Sequence, residues 1–138
     1  MTESAGDEND RIMNAIPIER IPKFHSVPLM RLRADLRRVT LSADSEKKQR
    51  VCLQFSPYQA IKVTTEDCFV FAKSGVIPFR LCVIQDSSWI PQLKKALKKV
   101  DHDATFLENA KHFILFATDG AVEVVATRMT FRMIKKRD

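Results

Sequence analysis

The chain has 138 residues, enough for one domain with its own hydrophobic core. Its apolar fraction of 45% is ordinary for a globular protein, and no apolar run approaches the ~20 residues of a membrane-spanning helix. The first ten residues hold four acidic and no basic side chains, so the rest carries 23 basic against 13 acidic side chains, a net charge of +10. Such a basic body attracts nucleic acid, anionic membranes or acidic proteins, although solvated surface charge gives the same composition.

Residues 1–27 are predicted to form a flexible or extended N-terminal arm, and residues 28–138 a single domain. The first ten residues are acidic and poor in apolar side chains, which is typical of disorder. They contain no apolar run of the kind found in signal peptides, so a cytoplasmic protein is expected. Pro17, Pro22 and Pro28 favour extended backbone over helix, and the apolar residues between them indicate that this part of the arm lies against the domain.

Alternating apolar residues predict several strands in the first two thirds of the chain. Residues 35–42 are assigned to a strand, whereas 29–34 are left open between helix and strand because their leucine spacing suits both. In the next strand the alternation involves Val51, Leu53 and Phe55, which is typical of a half-buried strand. Three strands are predicted after residue 49 from such patterns: RVCLQFS, YQAIKVT and VIPFRLCVI.

An amphipathic helix is predicted to begin near Trp89 and to end near Val100. Asp86-Ser87-Ser88 supplies N-cap candidates, and a proline in the first turn costs little there. The apolar stripe consists of Trp89, Leu93, Ala96, Leu97 and Val100. The opposite face carries Lys94, Lys95, Lys98 and Lys99. We expect Leu93 and Leu97 to be buried against a sheet.

The last quarter of the chain predicts a β-hairpin about Asp119-Gly120. An Asp-Gly pair between strand-like runs is a strong hairpin signal, because both central residues of a type I′ turn need φ > 0. Residues 112–118 and 121–131 are therefore expected to pair antiparallel. The first of these runs is apolar on both faces, which predicts a central strand. The fold class predicted from all elements is α+β, with a single antiparallel sheet of about five to seven strands and one main amphipathic helix packed on one face.

No residue cluster has the spacing of a catalytic site, a metal site or a phosphate loop. Cys52, Cys68 and Cys82 lie in apolar runs at spacings that suit neither zinc nor a disulfide framework, which predicts free, buried, reduced thiols. A catalytic pair of Cys68 and His112 would need an activated thiolate beside the imidazole, and the sequence gives no sign that the two residues meet. His112 is therefore interpreted as a structural histidine at a strand end. The Asp101–Asp103 segment is interpreted as a solvated loop. No enzyme activity, cofactor or metal is expected.

Two basic sets are the candidate partner-binding residues. They are Lys94, Lys95, Lys98 and Lys99 on the helix, and Arg31, Arg33 and Arg37 in the first third of the chain. Their functional interpretation is a grip on phosphates or on an acidic partner, and the alternative is the solvated side of their elements. No aromatic residue is evidently interleaved with them, which does not favour stacking on single-stranded nucleic acid.

Three segments together resemble a known class of protein: FSPYQAIKVTTEDCF (55–69), DSSWIPQLKKAL (86–97) and KHFILFATDGAVEVVA (111–126). In their order of elements they resemble small bacterial proteins of the immunity or antitoxin type. The resemblance implies a non-enzymatic cytosolic protein that binds one toxin domain tightly. Such proteins usually oppose nucleases with acidic faces, and the basic charge of this chain departs from that pattern. The function predicted is neutralisation of a cognate toxin by direct contact. The alternative is a nucleic-acid-associated accessory protein that uses its basic surface. No membrane partner is expected, and the oligomeric state is left open.

Overall fold

The computed structural model describes residues 13–25, 30–47, 49–65, 75–117 and 120–135. Within these ranges it contains nine strands and one helix, so the predicted α+β class is confirmed. The strands are β1 (Ala15–Pro17), β2 (Arg31–Ala34), β3 (Val39–Asp44), β4 (Gln49–Phe55), β5 (Tyr58–Thr65), β6 (Leu81–Ile84), β7 (Lys111–Ala117), β8 (Gly120–Ala126) and β9 (Met129–Lys135), and the helix is α1 (Trp89–Val100).

The strands form two antiparallel sheets rather than the single sheet that was predicted. The five-stranded sheet has the order β1-β6-β7-β8-β5, and the four-stranded sheet has the order β2-β3-β4-β9. All neighbouring strands in both sheets run antiparallel. The prediction of one sheet was wrong because alternating side chains identify a strand but do not specify its partner.

Two of the points at which the chain passes between the sheets lie side by side. The chain leaves the four-stranded sheet at Ser56-Pro57 and returns to it at Thr127-Arg128. The Ser56 N–H donates to the Arg128 carbonyl at 3.0 Å, and the Thr127 N–H donates to the Pro57 carbonyl at 3.1 Å. The predicted strand over residues 121–131 is therefore two strands, β8 and β9, in different sheets.

The core lies between the sheets, which pack face to face as a sandwich. The predicted alternation in β4 is confirmed, since Val51, Leu53 and Phe55 are completely buried. The Phe55 ring from the four-stranded sheet contacts the Phe113 ring from the five-stranded sheet, with 5.1 Å between centroids. Most buried side chains belong to this layer: Ile21, Phe24, Val39, Leu41, Ala43, Val51, Leu53, Phe55, Leu81, Phe113, Leu115, Val122, Val124 and Ala126.

The predicted terminal hairpin is confirmed in its pairing. Strands β7 and β8 pair antiparallel, and β7 is the middle strand of its sheet. Gly120 has φ of 144°, a value that favours glycine, and it pairs with Ala117 as the first residue of β8. Asp119 lies outside the described residues.

Two strand boundaries differ from the prediction. The segment 29–34, left open from the sequence, contains strand β2, whereas residues 35–38 of the predicted strand 35–42 form the turn before β3. The predicted strand VIPFRLCVI is shortened to Leu81–Ile84. A turn precedes it, in which Phe79 has φ of 62° and cannot continue a strand.

Helix α1 has the predicted bounds but is less buried than its apolar stripe suggested. Ser88 is its N-cap, and the Asp101 N–H donates to the Leu97 carbonyl at 2.8 Å at its end. The helix lies on the outer face of the five-stranded sheet, where it covers β7 with one side only. The predicted burial of Leu93 and Leu97 was therefore wrong, since both are half-buried. Within the described residues, no helix has the length and hydropathy needed to cross a membrane.

Residues 13–25 of the predicted arm contact both sheets. Strand β1 pairs with β6 at the edge of the five-stranded sheet. Further along, Ile21 and Phe24 are buried between the sheets at 1% and 3% exposure. The Phe24 N–H donates to the Phe79 carbonyl at 2.8 Å, which fixes this part of the chain against the turn before β6.

Candidate functional site

The hairpin formed by β2 and the start of β3 is the most exposed ordered element that the structure describes. Every residue from Arg31 to Arg38 is exposed, and Leu36 at its tip has 98% of its surface in contact with solvent. We call residues 31–38 the basic hairpin. The Leu36 side chain, next to Arg37 and Arg38, is therefore fully available for contact with a partner.

The tip of the basic hairpin is held in one geometry by Asp35. The Asp35 carboxylate accepts the N–H groups of Arg37 at 2.7 Å and Arg38 at 3.0 Å, an Asx-type turn. The Asp35 N–H donates to the Arg38 carbonyl at 3.1 Å, and the Tyr58 hydroxyl donates to the Asp35 carbonyl at 2.6 Å. The N–H groups of Arg37 and Arg38 hold the pKa of the Asp35 carboxyl below its usual value.

The arginines of β2 lie on the outer face of the four-stranded sheet. Leu41 and Leu53 point into the core, and the residues paired with them share that face. The residues that alternate with them along each strand therefore point outward. We call the outward arginines Arg31, Arg33, Arg50 and Arg132 the basic sheet face. Arg50 is paired with Asp44, with 3.4 Å between Nε and Oδ1.

The lysines of α1 lie on the opposite layer of the sandwich from these arginines. Lys95, Lys98 and Lys99 are exposed, whereas Lys94 is half-buried and pairs with Glu108 at 3.8 Å. The structure therefore does not bring the two predicted basic sets together. One flat partner surface cannot contact both sets at once.

A buried polar group lies beneath the start of α1, on the outer face of the five-stranded sheet. His112 is 4% exposed, and its Nε2 lies 2.8 Å from Oε1 of Glu123, which is also 4% exposed. Its Nδ1 lies 2.8 Å from the Ser87 hydroxyl. Lys62 Nζ lies 3.7 Å from Oε2 of Glu123. We call Ser87, His112, Glu123 and Lys62 the polar relay.

The chemistry of these groups assigns the protons of the polar relay. A Glu123 carboxylate beside the Lys62 ammonium can only accept, so His112 Nε2 carries a proton and donates it. In the neutral imidazole, Nδ1 is then left to accept from the Ser87 hydroxyl. The Ile90 N–H donates to Ser87 Oγ at 3.2 Å, which agrees with this direction. Each side chain of the relay thus has partners for its polar atoms.

The polar relay is open to solvent at Ser87. Ser87 and His112 line a groove of about 580 Å³ between β1, the connection from β6 to α1, and the start of β7. Its other walls are mainly apolar and include Ile16, Ile90 and Pro91. A concave apolar site with a few convergent polar groups is the usual form of a small-molecule site.

Sequence reasoning missed the polar relay because its residues are far apart along the chain. His112 is 25 residues from Ser87 and 11 from Glu123. The pairing of β7 with β8 brings His112 and Glu123 together. A sequence signal was nevertheless present at Glu123. A single carboxylate in the apolar run AVEVVA must be buried when both faces of the strand are covered, and a buried carboxylate requires a partner.

Among the described residues, Cys52, Cys82 and the segment Asp101–Asp103 give no second site. Burial was correctly predicted for Cys82, where it raises the pKa of the thiol, and was wrong for Cys52, which is half-buried. Cys68 lies outside the described residues. Asp101, His102 and Asp103 are exposed, and no group of three or more potential metal ligands occurs in the described part of the chain.

Compared with models of known protein families, with curated proteins and with solved structures, the chain has no significant match. The resemblance to immunity-type proteins therefore stays a prediction, carried by the three segments quoted above. The candidate sites rest on the geometry of the residues themselves.

Proposed function

We propose that the chain is a cytoplasmic protein-binding module of the immunity type, which neutralises a cognate toxin by direct contact through the basic hairpin. The observation that carries this proposal is a tip held by four hydrogen bonds that leaves every side chain from Arg31 to Arg38 exposed. A surface ordered before binding loses less conformational entropy on binding. Neutralisation by contact requires no catalytic step.

The exposed side chains define the chemistry of the partner. Guanidinium groups pair with carboxylates through two parallel hydrogen bonds, and arginine is enriched in interface cores whereas lysine is depleted. Arg31, Arg33 and Arg37 therefore suit an acidic surface, and Leu36 suits an apolar pocket within it. We infer that the toxin domain presents such a pocket, surrounded by carboxylates.

The lysines of α1 have a different role in this proposal. They lie on the opposite layer, so they do not enter the same contact. Positive charge on that layer still raises the attraction of an acidic partner at long range and increases the rate of encounter. We therefore propose that Lys94, Lys95, Lys98 and Lys99 steer association, while the arginines determine how long the complex lasts.

The second candidate function is association with nucleic acid through the basic sheet face. The observation that favours it is the alignment of Arg31 with Arg132 on one outer face, across the register that joins β2, β3, β4 and β9. A row of guanidinium groups on an open sheet neutralises phosphates along a backbone. Such a surface would bind the charged phosphates of a nucleic acid without recognising its base sequence.

The test of the first proposal uses the full-length chain and the protein encoded immediately upstream of its gene. Binding is measured by calorimetry, and association and dissociation rates are measured at low and physiological salt. We expect the Arg31→Ser/Arg33→Ser/Arg37→Ser variant to weaken binding by about 100-fold or more, mainly through faster dissociation. The matched Lys95→Ser/Lys98→Ser/Lys99→Ser variant, which removes the same charge, should mainly slow association and flatten its salt dependence.

Two results would contradict the toxin-binding proposal. One is the absence of binding to the upstream protein. The other is equal weakening by the arginine and lysine variants, since only net charge would then matter. All substituted residues are exposed, and half-buried Lys94 is left unchanged. Denaturant unfolding should therefore show little loss of stability in either variant.

Fluorescence anisotropy with a duplex of about 20 base pairs and with single-stranded RNA separates the second candidate from the first. Binding that falls steeply between low and physiological salt, and that is lost in the arginine variant, would support nucleic-acid association. Absence of binding at low salt would exclude it.

A further inference from the structure

We propose that Ser87 is a nucleophile activated by His112 and Glu123, and that the groove beside it takes carboxylic esters with an apolar acyl group. The inference goes beyond the contact function proposed above. The polar relay lies on the opposite layer from the basic hairpin and shares no residue with it, so one can fail without the other. It also replaces the expectation of a purely structural role for His112.

The first argument is the geometry of three side chains. Ser87 Oγ lies 2.8 Å from His112 Nδ1, and His112 Nε2 lies 2.8 Å from Glu123 Oε1. A hydroxyl, an imidazole and a carboxylate linked in this order recur as nucleophile, base and orienting acid on unrelated folds. Here the imidazole is turned, with serine on Nδ1 and the carboxylate on Nε2, but each nitrogen performs the role that its neighbour requires.

The second argument is burial. His112 and Glu123 are each 4% exposed, and the electrostatic attraction between an imidazolium and a carboxylate is stronger away from water. When His112 accepts the Ser87 proton, the imidazolium lies directly against the Glu123 carboxylate. The Lys62 ammonium lies 3.7 Å from the same carboxylate and restrains its orientation. Glu123 and Lys62 are positioning residues, because they act through His112.

Trp89 restrains the imidazole from the helix side. Its ring meets the His112 ring edge-on, with 5.4 Å between centroids and an interplanar angle of 72°. The Lys62 ammonium lies 5.0 Å from the centroid of the same indole. The indole therefore contacts both His112 and Lys62 and limits rotation of the imidazole, and general base catalysis needs a positioned base.

The third argument is the position of Ser87 in the chain. It lies in the connection between β6 and α1, and the helix that follows has 12 residues. The Ile90 N–H donates to Ser87 Oγ at 3.2 Å and stabilises negative charge there as the proton leaves. The positive end of the helix dipole acts in the same direction on the oxygen of a tetrahedral intermediate.

The groove determines the class of substrate. Ile16, Ile90 and Pro91 form apolar walls beside Ser87, which suit a short acyl chain or an aromatic ring. Lys111 lies on the rim and is exposed, so it can contact the polar part of a substrate. A volume of about 580 Å³ accommodates a small ester.

The reaction is an acyl transfer to Ser87 followed by hydrolysis. Ser87 Oγ bonds to the ester carbonyl carbon, and its proton passes to His112 Nδ1. The bond from that carbon to the alcohol oxygen then breaks, and the imidazolium returns the proton to the leaving alcohol. A water molecule, deprotonated by His112, attacks the acyl-serine, releases the carboxylic acid and restores the Ser87 hydroxyl.

The decisive test is covalent labelling of the folded full-length chain with a fluorophosphonate, a reagent that reacts with activated serine hydroxyls. Peptide mass spectrometry should place the adduct on Ser87 and should show it to form at least about 100-fold faster than on the neighbouring Ser88. Labelling should disappear in Ser87→Ala and persist in Ser88→Ala. Absence of an adduct on Ser87 in the folded wild-type chain would overturn the proposal.

Hydrolysis of p-nitrophenyl butyrate tests the rest of the relay. We expect Ser87→Ala and His112→Gln to lose at least about 100-fold in kcat/KM, with Ser88→Ala unchanged. Glu123→Gln should lower kcat, since the imidazolium formed during the reaction loses its anionic neighbour. A rate equal to that of Ser87→Ala in the wild-type chain would show that the relay is only structural.

Discussion

Asp35 is the residue on which the geometry of the basic hairpin most depends. Its carboxylate holds the N–H groups of Arg37 and Arg38, and these bonds turn the chain between β2 and β3. An aspartate that bonds to the backbone two residues ahead is a known turn former. The sequence therefore contained the signal for this turn, but the apolar alternation of Leu36, Val39 and Leu41 favoured a strand over residues 35–42 that was only bulged at Arg37-Arg38.

The lowered pKa of Asp35 gives the hairpin a pH dependence whose sign follows from linkage. Because its folded pKa lies below the usual value of 3.8, the bonds to Arg37 and Arg38 contribute fully above the usual pKa and are lost as the pH falls through the lowered one. We expect the amide proton shifts of Arg37 and Arg38 to change together in that acidic range. Two-dimensional NMR over a pH titration measures this.

The Asp35→Ala variant is the control for that titration. It should show the shifted amide positions already at neutral pH and no further change of those two amides in acid. A wild-type chain in which these amides do not respond to acid would mean that the carboxylate does not hold the tip in solution.

At the scale of elements, periodic patterns predicted where strands and helix occur better than how they are covered. The alternation of Val51, Leu53 and Phe55 identified β4 and its buried face. The stripe of α1 was equally regular, yet Leu93 and Leu97 are only half-buried, because nothing in the described part of the chain covers the helix on its other side. A periodic stripe reports which face turns inward but not how much surface lies above it.

This difference in burial predicts different costs for the same substitution. Leu97→Ala should reduce the free energy of unfolding by only about 1 kcal/mol, because a half-exposed leucine leaves no closed cavity. Leu53→Ala, at a completely buried position, should cost about 2–5 kcal/mol. Equilibrium denaturation in urea measures both. Equal losses would show that α1 is packed more closely against β7 than the structure indicates.

At the scale of the whole molecule, the sequence did not predict which strands belong to which sheet. The hairpin of β7 and β8 was predicted because its signal is local. The pairing of β9 with β4 was not predicted, because the alternation of Met129 and Phe131 suits a strand in either sheet. The same limit applies to the candidate sites: the basic residues were visible in the sequence, but their separation onto opposite layers and the meeting of Ser87 with His112 depend on long-range pairing.

The adjacent crossings at Ser56-Pro57 and Thr127-Arg128, together with the shared core, predict that both sheets unfold as one unit. Phe55 belongs to the four-stranded sheet and packs on Phe113 of the five-stranded sheet, so Phe55→Ala should remove a contact common to both and cost about 3–5 kcal/mol. Native-state amide exchange measures the free energy of opening for each sheet separately. We expect the amides of Leu53 in β4 and of Ile114 in β7 to lose protection by the same free energy. Loss confined to Leu53, with Ile114 unchanged, would mean that the five-stranded sheet is stable without the other layer. The groove beside Ser87 would then survive when the basic hairpin unfolds, and the two proposed sites would be separable in stability as well as in position.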